Sequence, residues 1–295
     1  MRLSGTRFTA TAVRGASPMI FLSRVSRKLL VYLTAFVAVA VVLLPFLWLF
    51  AATFKTEEQT YAYPPKWIPE TLYLRNYQLL FGFVNMRQLV FNSLVYVVAL
   101  VSGQVLFNST AGFAFARMRF PGRETLFLVY LGTLMVPFAV RLVPTFIIMK
   151  ELGWIDTFQG LLAPGVLGGA YGTFLMRQFF LGIPQELQDA AEIDGCGPLR
   201  TFLRIMLPLV KPAITSLVIL TAVASWNDLL WPLVIMNSEK NKLLSVGLAG
   251  LYYDRGTLPF PTVLAGAMVA LVPLVVLYLV AQRYFVQGIA FTGLK

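Results

Sequence analysis

The side chains that most often do chemistry are nearly missing from this chain. There is no histidine, and Cys196 is the only cysteine. That removes the commonest general base, the commonest metal ligand and any intramolecular disulfide. No G-x-x-x-x-G-K-[ST] phosphate loop occurs, so a process driven by ATP requires a nucleotide-binding partner. What remains is one concentrated patch, DAAEIDG at residues 189–195. Three carboxylates in seven residues are costly in lipid, so the patch must meet water or a partner. Its chemistry is that of contact: charge, small side chains for close approach, and a glycine for a turn.

The flanking sequence, IPQELQDAAEIDGCGPLRTFLRIMLPLVKPAI, predicts how the patch is held. Pro184 suits the first turn of a helix. Glu186 and Asp189 then lie near that helix's positive end. Leu187, Ala190, Ala191 and Asp194 recur at helical spacing, and Gly195 can take the left-handed conformation that ends a helix. Gly197-Pro198 restarts a second helix whose apolar face is expected at Leu199, Phe202, Leu203 and Met206. The product is a helix–turn–helix elbow lying against a membrane face.

The rest of the chain supplies the membrane. Of 295 residues, 58% are hydrophobic and 13% charged, where soluble domains carry roughly a quarter charged residues. The net charge of +11 does not point to nucleic acid, because the basic residues are scattered among apolar runs and form no stripe. They are topology signals. Apolar runs predict six spans, near 29–52, 89–116, 125–149, 158–180, 208–235 and 262–282, with the elbow in 181–207. A secretory signal has an apolar core of about 7–15 residues, and 29–52 is far longer, so this run is expected to be a retained helix. Residues 1–28 hold six Arg/Lys and no acid, and 15 of the 24 basic residues fall on the side of both termini. Both ends, 1–28 and the tail 283–295, are therefore expected in the cytoplasm. The stretches 53–87 and 236–261 become outer loops. The expected fold class is an all-α membrane protein of six helices with a cytoplasmic elbow.

The elbow's spacing resembles the EAA loop of importer permeases in the ATP-binding cassette transporters. That signature reads E-A-A, three residues, G, nine residues, I-x-L-P. Here Asp189-Ala190-Ala191 is followed by three residues and Gly195, and nine more lead to Ile205-Met206-Leu207-Pro208. The departure is Asp189 for glutamate, which keeps the charge and shortens the reach. FKTEEQTYAYPPKWIPETLYLRNYQLLF, AFARMRFPGR, LGWIDTFQGLLAP, SWNDLLWPL and QRYFVQGIAFTG resemble segments of the carbohydrate-importer branch.

The resemblance implies a non-catalytic permease subunit in a bacterial or archaeal cytoplasmic membrane, without cofactor or metal. It implies three partners: a homologous second permease forming a hetero-dimer, a cytoplasmic ATPase dimer, and an extracytoplasmic solute-binding protein. Coupling to the ATPase would fall to Glu186, Asp189, Ala190, Ala191, Asp194 and Gly195. Polar and aromatic residues in the spans, Asn92, Gln104, Asn108, Tyr171, Trp226, Asn227 and Asp228, are candidates for the solute path. The bland alternative is that amides bond between helices and that aromatics such as Trp231 anchor at the interface. Pro137, Pro144 and Pro232 are expected to bend spans. The rival function is a self-sufficient carrier or channel. Ion-coupled carriers place carboxylates in mid-span, whereas here they concentrate in loops, with Asp228 near a span end.

Overall fold

A computed structural model describes residues 18–253 and 258–290, with side chains described for 28–251, 258–280 and 282. Residues 1–17 of the basic segment and 291–295 of the tail lie outside it. All regular elements among the described residues are helices. In order they are α1 (Pro18–Ala52), α2 (Glu57–Tyr61), α3 (Arg75–Phe83), α4 (Met86–Arg117), α5 (Arg123–Gly132), a short 3₁₀ turn (Thr133–Met135) and α6 (Phe138–Glu151). Then come α7 (Phe158–Val166), α8 (Ala170–Leu181), α9 (Glu186–Ile193), α10 (Pro198–Thr201), a π turn (Phe202–Met206), α11 (Leu207–Leu209) and α12 (Lys211–Trp226). The last are α13 (Leu230–Ile235), α14 (Leu244–Tyr253) and α15 (Phe260–Ala290).

Three of the described helices are long and apolar enough to cross a membrane, within α1, α4 and α15, or up to five if each of two bent pairs counts as one span. The bends have local causes. Val136 is extended ahead of Pro137, as the residue before a proline prefers to be, and α6 leaves the preceding helix at 99°. The 77° bend between α11 and α12 falls where Pro212 lacks an N–H and its ring would strike the carbonyl of Pro208.

The run 158–180 is likewise divided, at Gly168, whose φ is +93°. A break inside an apolar run needs its backbone groups satisfied from elsewhere in the protein. Here α4 does so. Asn108 Oδ1 accepts the Gly169 N–H at 2.9 Å and the Thr173 hydroxyl at 3.1 Å. Asn108 Nδ2 donates to Gln104 Oε1 at 2.6 Å, and Gln104 Nε2 donates to the Gly165 carbonyl at 2.6 Å.

Helix α4 is the spine of the bundle. At 32 residues it is about 48 Å long, and it packs against α8, α12, α7 and α14. Around it sit three apolar clusters, each drawing on one level of the spine. The first, at the elbow end, joins Phe113, Met176, Phe180, Phe202, Met206 and Leu217. By contrast the most apolar stretch of α1 buries nothing within the chain, and only Ala52 at its end is buried; an all-round apolar helix of this kind is suited to lipid or a partner subunit.

The expected outer loop 236–261 contains a helix. Leu244 and Leu251 of α14 are buried against α4 and α15. Asn92 Nδ2 holds the carbonyls of Lys240 and Lys242, each at 2.9 Å, and Ser93 Oγ accepts the Leu244 N–H at 2.8 Å. At the other expected outer loop, Asn76 Nδ2 donates to the carbonyls of Thr53 and Lys55, each at 2.8 Å, which pins α3 beneath the end of α1.

Candidate functional site

The elbow's turn forms where its sequence predicts and can be read bond by bond, although the helix before it begins only at Glu186, so Pro184 precedes the first turn instead of lying in it. Helix α9 carries Glu186 and Asp189 in its first turn, where free N–H groups favour carboxylates. At the other end Cys196 N donates to the Ala191 carbonyl at 2.8 Å and Gly195 N to the Glu192 carbonyl at 3.0 Å. With Gly195 at φ +77°, this pair of bonds is a Schellman cap. Gly197 is extended and Pro198 opens α10, so one helix ends and the next begins within four residues.

Exposure sorts the signature. Glu186, Asp189, Ala190, Asp194 and Gly195 lie on the surface, whereas Ala191 is buried. Only one of the two alanines therefore faces outward; the other seats α9 on the bundle. The second arm departs from expectation. Phe202 and Met206 are buried, but Leu199 and Leu203 are exposed, because the π turn over Phe202–Met206 widens the helix and shifts its register. Phe113 of α4 meets Phe180 of α8 at 5.6 Å and Phe202 of the second arm at 5.1 Å between ring centroids. The elbow is thereby fastened to two other helices.

Between the elbow and the end of α4 lies a cavity of about 430 Å³ lined by Arg117, Gln185, Asp189, Cys196 and Thr201, among others. Arg117, which the sequence does not single out, is the pivotal side chain. Its Nε donates to the Phe180 carbonyl at 3.1 Å, a terminal nitrogen to Gln185 Oε1 at 2.6 Å, and the other terminal nitrogen to the carbonyls of Phe180 and Ile183. Arg177 is a second missed residue. It pairs with Glu124 at 2.9 Å and lies 4.2 Å from the Phe127 ring centroid, holding the α4–α5 turn to α8. The only sequence signal for Arg117 is a basic residue at the end of an apolar run, and Arg177 has a similar one.

The candidate path residues do not converge on one site within this chain. Asn92, Gln104 and Asn108 spend their amides on the helix contacts described above. Trp226 is buried, and its Nε1 donates to the Ala270 carbonyl at 3.1 Å. Trp231, expected at the interface, is also buried, donating to the Leu161 carbonyl at 3.1 Å. Tyr171 and Asn227 are exposed, and Asp228 is half-buried, accepting from the Tyr96 hydroxyl at 3.3 Å. Among the described residues no group of three His, Cys, Asp or Glu is placed to hold a metal ion.

The elbow, carried on a spine of apolar helices, has the spacing of the importer-permease loop it resembles, and comparison with known proteins shows the family. Residues 108–291 match the family described as binding-protein-dependent transport system inner membrane component. The chain belongs to that family. It is 37% identical to the arabinooligosaccharides transport system permease protein AraQ of Halalkalibacterium halodurans over 77% of this chain and 81% of the relative. It is 34% identical to the sn-glycerol-3-phosphate transport system permease protein UgpE of Brucella abortus over 90% of this chain and 96% of the relative. Its fold is shared with a bacterial ABC transporter involved in the import of the acidic polysaccharide alginate. There the TM-score is 0.73 at 22% identity, over 93% of this chain and 100% of the other. A further structure, of bacterial alginate ABC transporter with pentasaccharide-bound periplasmic protein, gives a TM-score of 0.64 at 14% identity, over 88% and 95% of the chains.

Proposed function

We propose that this chain is one half of the translocation path of an ATP-driven importer for a sugar or sugar derivative, and that the elbow is where a separate ATPase takes hold of it. The observation that carries the reading is the capped elbow itself. Glu186, Asp189, Ala190 and Asp194 stand exposed on α9 and its cap, and a glycine at φ +77° sets the angle to the second arm. Among the described residues no salt bridge uses these three carboxylates, which leaves their charge for a partner.

The substrate class follows from the family and from relatives named for arabinooligosaccharides and sn-glycerol-3-phosphate. We infer six spans: α1, α4, α5 with α6, α7 with α8, α12 with its flanking turns, and α15. Both termini and the elbow then share the cytoplasmic side. The assembly comprises a second, homologous permease, an ATPase dimer on the elbow side, and a solute-binding protein on the opposite side. ATP binding closes the ATPase, the elbow is displaced, and the spans rock between two openings around one site. This chain supplies no catalytic group to ATP hydrolysis.

The test is reconstitution. The chain should take up arabinotriose or sn-glycerol 3-phosphate in proteoliposomes only with an ATPase, a second permease and a binding protein present. Uptake by the chain alone would sink the reading in favour of a self-sufficient carrier. Gly195→Asp should leave membrane insertion intact and release the ATPase, because it adds a side chain and a further negative charge to the exposed turn that the partner would contact. Normal ATPase recovery with Gly195→Asp would remove the elbow from coupling.

A further inference from the structure

The elbow must pass its displacement to a span, and a docking surface alone does not say how. Two routes leave it. The second arm runs on through the π turn into α12, past a 77° bend. The first arm, α9, meets the end of α4 through a chain of polar contacts that no backbone connection requires.

That chain begins at Arg117, the last residue of α4. Its planar guanidinium presents donors in a fixed fork, so contacts made on different edges hold their partners in a fixed relation. One edge closes the carboxyl end of α8, at the Phe180 and Ile183 carbonyls. Those carbonyls carry the partial negative charge of a helix end, which favours a cation. The other edge reaches Gln185 Oε1 at 2.6 Å. Gln185 is the residue that caps α9, and its carbonyl accepts from Gln188 N at 2.9 Å and Asp189 N at 3.1 Å. Its Nε2 then donates to Asp189 Oδ1 at 3.2 Å. Asp189 is the first letter of the elbow's signature. One turn back along α4, Phe113 packs on Phe180 and Phe202. Two side chains of the spine thus grip the end of α8, the start of α9 and the second arm.

We propose that Arg117 is the positioning residue for coupling: acting through Gln185, it makes α9 and α4 one mechanical body, so that movement of the elbow becomes movement of the spine. The proposal rests on the coupling role of the elbow set out above. A hydrogen-bonded strut of this kind suits the task better than apolar packing alone. It fixes orientation as well as distance, and its loss leaves carbonyls at the end of α8 unanswered.

The experiment uses the assembled transporter with Cys196→Ser, spin-labelled at Leu187→Cys on α9 and Val98→Cys on α4, about 30 Å along the helix from Arg117. Both positions are exposed. The distance between the labels is measured without nucleotide and after trapping with ATP and vanadate. In the otherwise native chain the distribution should be narrow and the same in both states. Arg117→Ala should let the labels separate or broaden by about 2 Å or more on trapping. Because that variant also uncaps α8, Gln185→Met is the decisive one, since it breaks the strut and leaves the α8 contacts of Arg117 in place. A merely structural role would lower the yield of complex and leave the nucleotide dependence unchanged. A label distance in Gln185→Met as fixed as in the native chain overturns the proposal, as does a nucleotide-driven change in the native chain itself. The coupling reading fails separately, through normal ATPase recovery with Gly195→Asp.

Discussion

A β-carbon placed on Gly112 of α4 would stand 2.6 Å from the β-carbon of Met176 on α8. The backbones of the two helices therefore approach as closely as they do only because position 112 has no side chain. This is the small-residue packing that membrane bundles use where lipid supplies no hydrophobic drive between helices.

Gly112→Leu should force α4 and α8 apart and cost about 1–3 kcal/mol or more, seen as a lower unfolding temperature of the detergent-solubilised protein. Gly82→Ala is the matched control. Nothing lies within 4 Å of a β-carbon there, and alanine is favoured over glycine inside a helix by roughly 0.5–1 kcal/mol. Equal effects of the two substitutions would count against close packing as the reason for Gly112.

Asn108 offers a second, local test. Its side-chain oxygen answers the Gly169 N–H at the start of α8. Asn108→Ala leaves that donor, the Thr173 hydroxyl and the side-chain oxygen of Gln104 without their partner, a penalty of about 1–3 kcal/mol. Amide exchange at Gly169 should quicken by about tenfold or more, with the far cluster around Leu80 and Leu244 unaffected. Unchanged exchange at Gly169 would show that the break in the 158–180 run is held by something else.

How far the sequence reaches is visible in these same residues. The runs 29–52, 89–116 and 262–282 become uninterrupted helices because length and apolarity suffice to specify them, even with Pro45 and Pro273 inside. The runs 125–149, 158–180 and 208–235 do not. Each holds prolines or glycines, and composition cannot say which will break the helix. Pro144 and Pro164 lie within helices while Pro137 precedes one; the outcome depends on what faces the freed backbone groups. Gly168 opens a break because Asn108 is opposite to cap it, and that pairing spans 61 residues of chain. Helix α14 is hidden for another reason. Ten residues are too few to suggest a span, and the polar residues before it mask a buried face. The elbow is the most legible part, since its cap, turn and restart are all local. Its tie to Arg117 is not, because the guanidinium's partners are 63 to 68 residues away.

Asp156 links the turn after α6 to the segment after α13, and it does so as a carboxylate. It sits at φ +59° and accepts the N–H groups of Asn237 and Ser238, each at 3.0 Å. Partial burial pushes its pKa up, but the bonds from Ser238, Asn237 and Asn241 together outweigh that and hold it below the usual aspartate value. A pKa depressed by folding gives stability that is present above the unfolded value and lost as pH falls through the folded one. The link should thus loosen as pH drops below about 4. The substitution Asp156→Asn is a sound probe, because asparagine tolerates the left-handed backbone and cannot titrate. Protease cutting of residues 236–241 should rise steeply in acid for the native chain and vary little with pH in the variant. The same acid response in both would assign it to another group.

Asp189 is the one place where the chain departs from the glutamate of the signature it resembles, and its surroundings say what each replacement should do. The carboxylate lies in the first turn of α9, exposed, accepting from the Gln185 Nε2 at 3.2 Å. Asp189→Glu keeps the charge at the helix's positive end and should recover the ATPase as well as the native chain does. Asp189→Arg places a cation among unpaired N–H groups, costing about 0.3–1 kcal/mol, and faces Arg117 across the cavity. It should reduce ATPase recovery by about tenfold, and the loss should shrink in high salt, because an exposed charge contact is screened. A loss that ignores salt would instead point to a broken elbow, and full recovery with Asp189→Arg would mean that the charge is not part of the contact.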